Sequence, residues 1–251
     1  MMKSSVKHFG LLVLSSAFLL SGCASSQNQD VSEVYDPLEN INRTTLDINE
    51  AVDEALIEPI ARTYVERTPS GLRTGLSNFL RNLNSPIVIG NQLLQGDLEG
   101  AGNATARVFI NTLAGFGGIV DVADLGGIPH EEEDFGQTLA VWGVGDGAYL
   151  VLPLLGPSNV RDTAGRIVDS YADPLRIYLN NIDEDHLSYT RTGLEILSTR
   201  AELLDIIDDL RRNSFDYYAA LRSAYVQNRR ALINDQFPLM SGPDIPDYED
   251  F

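Results

Sequence analysis

Cysteine occurs once in the 251 residues, at Cys23, so no intramolecular disulfide can form and the fold must stand on its own packing. Lysine is nearly as rare: Lys3 and Lys7 are the two copies. Past residue 22 the chain holds sixteen arginines, no lysine and all thirty-six acids, a net charge of −20. A Walker-type loop needs a lysine on the β- and γ-phosphates, which excludes P-loop ATPases. The acidic balance excludes a nucleic-acid partner, because neutralising phosphates takes clustered Lys and Arg. It also excludes polybasic attachment to an anionic membrane. No apolar run reaches the ~20 residues that span a bilayer. Hydrophobic residues at 43% and charged residues at 22% suffice for one or two compact domains rather than a disordered chain.

Catalytic signatures are missing as well. His130 and His186 are the histidines beyond residue 22, no Gly-x-Ser-x-Gly elbow occurs, and Gly143, Gly145 and Gly147 do not make a Gly-x-Gly-x-x-Gly fingerprint. His130 precedes Glu131, Glu132, Glu133 and Asp134, a run that suits a solvated loop better than a cation site. The oxygens of Asn181, Asp183 and Asp185 alternate like a calcium loop, but the Gly and the distant Glu of that motif are lacking, which favours a helix-capping loop. No catalytic set, metal site or dissociable cofactor is expected, and the chain is not expected to be an enzyme.

The N-terminus carries a targeting signal. Lys3 and Lys7 precede an apolar run from Phe9 to Leu20, and Leu20-Ser21-Gly22-Cys23 follows, similar to a bacterial lipobox. Residues 1–22 are expected to be a lipoprotein signal peptide. Cys23 is expected to carry a covalent N-acyl diacylglycerol, whose three chains hold a protein to a membrane where one holds only marginally. Ala24 rather than Asp at the next position favours sorting to the outer membrane, and residues 23–34 are polar enough to be a tether.

From residue 35 to 236 the pattern is mainly helical. Asp36-Pro37-Leu38-Glu39 has the form of a helix start, with Asp as N-cap and Glu closing a capping box. Ile41, Thr45, Ile48, Val52 and Ala55 then form an apolar stripe, with Asn42, Asn49 and Asp53 off it, and Pro59 bends or ends the helix. Thr68-Pro69 opens another, with Leu72, Leu76 and Phe79 on one side and Arg73, Ser77 and Arg81 away from it. Ser85-Pro86 opens the next, and Asp97 caps a fourth. Helices broken by prolines at nearly every junction predict a chain that turns repeatedly into an arc or ring. Leu113 to Ile128, rich in glycine and apolar side chains, is either a buried turn, which composition favours, or an interfacial re-entrant segment. Thr138–Trp142 and Ala148–Leu152 flank a glycine-rich turn and predict a β-hairpin. Ser158 can cap a helix to about Ala172, and two longer segments, 187–210 and 214–235, can pack as a C-terminal helical hairpin. Residues 237–251 are acidic and proline-rich, a flexible tail by composition.

Several stretches together resemble the MlaA/VacJ family of outer-membrane phospholipid-transport lipoproteins. They are Asp36-Pro37-Leu38-Glu39 with Asn42-Arg43, Leu94-Gln95-Gly96-Asp97, Asn111-Thr112-Leu113 with Gly115, Gly117-Gly118-Ile119 and Asp121, and Asp134-Phe135-Gly136-Gln137-Thr138-Leu139 with Gly143-Val144-Gly145. The resemblance implies an α-helical ring in the inner leaflet of the outer membrane, lipid-anchored at its periplasmic face and pierced by an amphipathic channel. It also implies three partners: outer-membrane phospholipids that enter from the outer leaflet, a trimeric porin, and a soluble periplasmic lipid carrier (MlaC-like). The family loop beside the channel maps to Gly143, Val144, Gly145, Asp146 and Gly147, which can act as a gating hinge or as a plain tight turn. Phe116, Ile119 and Val120 are candidates for a belt against acyl chains, the alternative being an ordinary core. Two other functions stand beside transport: a porin-associated structural lipoprotein, and a lipid-acting enzyme without a visible triad.

Overall fold

A computed structural model describes residues 34–234. The signal peptide, Cys23, nearly all of the tether, and the acidic tail lie outside the described residues. The chain begins with α1 (Glu39–Val52), a π-helical turn (Asp53–Ile57) and α2 (Glu58–Arg67), which run on without a break. Pro59 therefore does not end the helix. It falls in the first turn of α2, where a missing N–H matters least. The π-turn ahead of it re-registers the backbone, with the Glu58 N–H bonding the Asp53 carbonyl five residues back.

Helix α3 (Ser70–Gln95) is 26 residues long and passes straight through Pro86. The break expected at Ser85-Pro86 does not occur. An interior proline costs ~3 kcal/mol, and the buried Ile87, Val88, Asn91 and Gln92 just beyond it supply packing that offsets this. Helix α4 (Leu98–Leu113) starts as expected, the Asp97 carboxylate accepting from the Gly100 N–H at 2.9 Å. A short helix α5 (Val122–Leu125) is capped by Asp121.

The hairpin forms one strand later than expected. Residues Phe135–Val141 are helix α6, because Asp134 caps it through the Gln137 N–H at 2.9 Å and Gln137 and Thr138 are buried. Strand β1 (Tyr149–Leu152) instead pairs antiparallel with β2 (Gly156–Asn159), in the register Tyr149 to Asn159. Leu154 and Gly156, both at positive φ, close the three-residue turn between them. Asn159 rather than Ser158 caps α7 (Val160–Ala172). After α8 (Pro174–Asn181), the first long C-terminal segment is split at Leu203 into α9 (Asp185–Glu202) and α10 (Leu204–Asn213). The turn-back that follows packs α11 (Tyr217–Ile233) on α10.

Contacts between these helices close a circuit. Helix α2 meets α9, then α9 meets α8, α8 meets α7, α7 meets α6, α6 meets α11, α11 meets α10, and α10 returns to α2. The architecture is a mainly α, ring-like array with one small hairpin. Salt bridges seal the closure: Arg200 of α9 grips Asp53 through two contacts of 2.8 Å, and Arg211 of α10 reaches Glu58 at 3.0 Å. A compact apolar cluster, built on Leu46, Tyr149, Val151 and Tyr218, lies where α1 and α11 meet the hairpin.

Helix α1 packs with the face opposite to the one its periodicity predicts. Asn42 and Leu46 are buried, while Ile41 and Ile48 of the apolar stripe are exposed. The inversion is general. Among the described residues, sixteen buried side chains are polar or charged and fourteen are apolar, so the interior is not sorted by hydrophobicity as in a water-soluble domain. Among those residues no helix is long and apolar enough to cross a membrane.

Candidate functional site

The family-motif residues converge on the hairpin. Asn42 donates to the Tyr149 carbonyl at 3.0 Å and accepts from the Val151 N–H at 2.9 Å, so one amide completes the free edge of β1. Asn49, two turns on, repeats the clasp at Leu152 and Leu154. Asp36 is not an N-cap: α1 has no side-chain cap, and the Asp36 carboxylate instead accepts from Asn42, Tyr218 and Arg222. The turn at Pro37 brings it there. Arg43 pairs with both oxygens of Asp216, at 3.1 and 2.7 Å, and stacks over the Tyr218 ring. These residues are structural anchors, joining the start of the ring to its last helix.

The acidic run after His130 is solvated only in its first half, where Glu131 and Glu132 are exposed. Glu133 is buried and accepts from Gln95 at 2.6 Å, Glu131 accepts from Gln92 at 3.1 Å, and Asp134 takes Arg229. Burial raises the Asp134 pKa, but the Arg229 hydrogen bond and charge outweigh it and hold the carboxyl below the usual range. Burial, reinforced by the charges of Arg81 and Arg107, lowers the His130 imidazole to about 4. Among the described residues no group of three such side chains stands close enough to hold a metal ion.

The candidate belt residues are on the surface. Phe116 is 81% exposed, and Ile119 and Val120 are exposed beside it. The glycines press this segment against α3: a Cβ at Gly118 would fall 2.5 Å from that of Asn82, and one at Gly75 would fall 2.9 Å from Ile119. Asn78 and Asn82 satisfy the carbonyls of Ile119 and Gly117. With its backbone bonded inward, the segment turns its apolar side chains outward, and Leu113 and Leu125 at 83% and 82% exposure extend the patch. Residues 113–128 are therefore not a buried turn.

The loop Gly143–Gly147 is exposed and follows two exposed apolar side chains, Val141 and Trp142. Trp142 donates its indole N–H to the Leu94 carbonyl at 3.0 Å, fixing the loop's first end. The second end is held by buried Arg161, which pairs with Asp146 at 2.5 Å and with Asp162 at 2.9 Å. Gly143 and Gly147 need their positive φ, whereas Gly145 has an ordinary φ and open space around it.

A polar cavity of about 270 Å³ opens where α2, α3 and α9 meet. Sequence reading set Arg73, Ser77 and Arg81 away from the apolar stripe of α3 but gave that face no task. Ser70, Arg73, Thr74, Ser77, Asn78 and Arg81 recur every three or four residues and form one wall. Tyr64 of α2 and Glu202 of α9 form others. The Ser77 hydroxyl donates to Glu202 at 2.8 Å. This polar stripe, running over three turns of a helix whose far side is apolar, was the signal available in the sequence.

A closed helical array with apolar side chains outside and arginine-bearing polar walls within defines an amphipathic helical protein. Comparison with known proteins gives the family. Residues 34–232 match the family model described as MlaA lipoprotein, and the chain belongs to that family. It is 38% identical over 221 residues to the intermembrane phospholipid transport system lipoprotein MlaA of Escherichia coli (strain K12), covering 86% of this chain and 85% of that protein. It is 31% identical to the protein of the same name from Haemophilus influenzae (strain ATCC 51907 / DSM 11121 / KW20 / Rd), covering 94% and 95%. A solved structure from work on the structural basis for maintenance of bacterial outer membrane lipid asymmetry superposes with a TM-score of 0.69 at 37% identity. That match covers 79% of this chain and 99% of the other.

Proposed function

We propose that this chain is an outer-membrane lipoprotein, anchored through Cys23 at the periplasmic face. In this reading it withdraws mislocalised phospholipids from the outer leaflet and passes them to a soluble periplasmic carrier, so maintaining lipid asymmetry. A trimeric porin holds it in the membrane beside the outer leaflet. The observation that carries this reading is the inverted distribution of side chains: Leu113, Phe116, Ile119, Val120 and Leu125 face outward while Arg107, Arg161, Arg200 and Arg229 are buried. Acyl chains meet the apolar exterior at no desolvation cost. A charged head group, costly in hydrocarbon, finds polar walls instead. Such a path lowers a barrier without breaking a bond, so transport needs no nucleophile, and the reading is of a non-enzymatic protein. Its relatives carry the name of a phospholipid transport lipoprotein, which agrees with it.

The test is an outer-leaflet phospholipid assay, for instance lipid A palmitoylation, in a cell lacking its own family member. The native protein should restore asymmetry and a Cys23→Ala variant should not. Failure of native protein that reaches the outer membrane and co-purifies with the host porin would overturn the reading.

A further inference from the structure

The cavity between α2, α3 and α9 differs from the other charged places in this fold. Its neighbours are paired with carboxylates: Arg200 and Arg211, on α9 and α10, hold Asp53, Glu50 and Glu58, although the buried Nη1 of Arg200 has no partner among the described residues. Arg73 has no carboxylate within 4 Å among the described residues, and its buried Nε has no hydrogen-bond partner there. The buried Tyr64 hydroxyl on the facing helix is unpartnered in the same way. Arg81 has only a loose contact, 3.8 Å from Glu202. Two arginines against one carboxylate leave this cavity locally positive in a strongly acidic protein. A buried guanidinium Nε and a phenol with no acceptor are costly unless an oxygen-rich group from outside supplies one.

We propose that this cavity is a phosphodiester site and that, in keeping with the transport reading on which the proposal rests, it takes the phosphate of a phospholipid head group. Guanidinium forks match phosphate oxygens in geometry and charge, and Arg73 and Arg81, two turns apart on α3, can approach one phosphate from two sides. Ser77 and Asn78 lie between them on the same face. A cavity of about 270 Å³ admits a head group but not a diacyl lipid, so the acyl chains stay outside. The exposed Leu72 and Phe79 on the same helix give them an apolar surface there. Glu202 competes for Arg81 and Ser77. That competition keeps the hold on the phosphate weak enough for cargo to leave, as a relay site requires.

The experiment uses the full-length lipoprotein purified in detergent from outer membranes, with retained phospholipid counted by native mass spectrometry. The native protein should carry phospholipid. Arg73→Gln should lower its occupancy about tenfold, the worth of one charge-assisted bond, and Tyr64→Phe should lower it less. Arg212→Gln, an exposed residue distant in role, should change nothing. Because Arg73 has no protein partner to lose among the described residues, Arg73→Gln should melt no lower than native protein stripped of its lipid in the same detergent. A lower melting temperature with lipid occupancy intact would overturn the proposal. Inorganic phosphate is the second probe: up to millimolar concentrations it should not displace the lipid. Protection by phosphate alone, in protein that carries no lipid, would assign the site to free phosphate and overturn the head-group assignment. The two readings fail separately. If native protein restores asymmetry in cells and Arg73→Gln restores it equally, the site is wrong. If native protein does neither, the transport reading is wrong.

Discussion

Arg229 holds Asp134 through two parallel contacts of 2.6 Å, tying the last helix of the ring to the cap of α6. Its third reach is to the buried Asp162, 2.8 Å from Nε. Asp162 is in turn shared with Arg161, which anchors Asp146 in the glycine loop. One continuous ionic chain therefore runs from α11 to the candidate channel loop. Arg229→Met should leave Asp134 and the buried Asp162 short of a partner and destabilise the protein by roughly 3 kcal/mol, read by thermal or denaturant unfolding in detergent. A loss under about 1 kcal/mol would mean that Arg161 alone carries Asp162.

The loop itself can be divided by substitution. Gly143→Val forces a β-branched residue to φ near +89° and should cost stability, whereas Gly145→Val meets open space at an ordinary φ and should fold as well as the native protein. If the loop is a hinge, Gly145→Val and the double substitution both impair transport. Unchanged outer-leaflet phospholipid in a stable Gly145→Val variant would leave the loop a plain turn.

Exposure of the belt predicts a solubility phenotype. A chain without residues 1–22 and with Cys23→Ala, made in the cytosol, should need detergent to stay monodisperse, because Leu113, Phe116 and Leu125 offer contiguous apolar surface. Adding Phe116→Ser and Ile119→Ser should lower that requirement without lowering the melting temperature, since neither side chain is buried. A detergent-free monomer of the parent chain would rule the belt out.

Stability should respond to pH through His130. Its pKa falls from the ordinary 6.5 to about 4 in the folded protein, chiefly by burial and then by the charges of Arg81 and Arg107, with Asp121 opposing. The unfolded chain therefore binds the proton first, and stability present above about pH 6.5 is lost as pH falls towards about 4. His130→Gln should flatten the unfolding free energy across that window relative to the native protein. An unchanged slope would place the imidazole in solvent. Asp134, held low by Arg229, adds its own loss in a more acidic range.

Much of this was legible before any coordinates. Asp97 precedes a helix and caps it, because an Asx side chain satisfies exposed N–H groups using neighbours alone. What failed were inferences needing a partner distant in sequence. Pro86 reads as a break only until the burial of Ile87 and Val88 is known, and Thr138–Trp142 reads as a strand until Asn91 of α3 is seen to take the Thr138 hydroxyl. Glu133 and Asp134 read as solvated until Gln95 and Arg229 are brought to them.

The sequence by itself determined the helical class and the family, and with them the expectation of a lipid anchor, because these rest on residue types and local spacing. Which face of each helix points inward was decided by the tertiary structure alone. Hydrophobic periodicity locates a stripe on a helix but carries no sign for a protein whose buried side chains are as often polar as apolar. Ile41 and Ile48 thus lie outside and Asn42 inside. For the same reason the Arg73 face of α3 gained meaning only when Tyr64 of the preceding helix and Glu202, remote in sequence, closed a cavity over it.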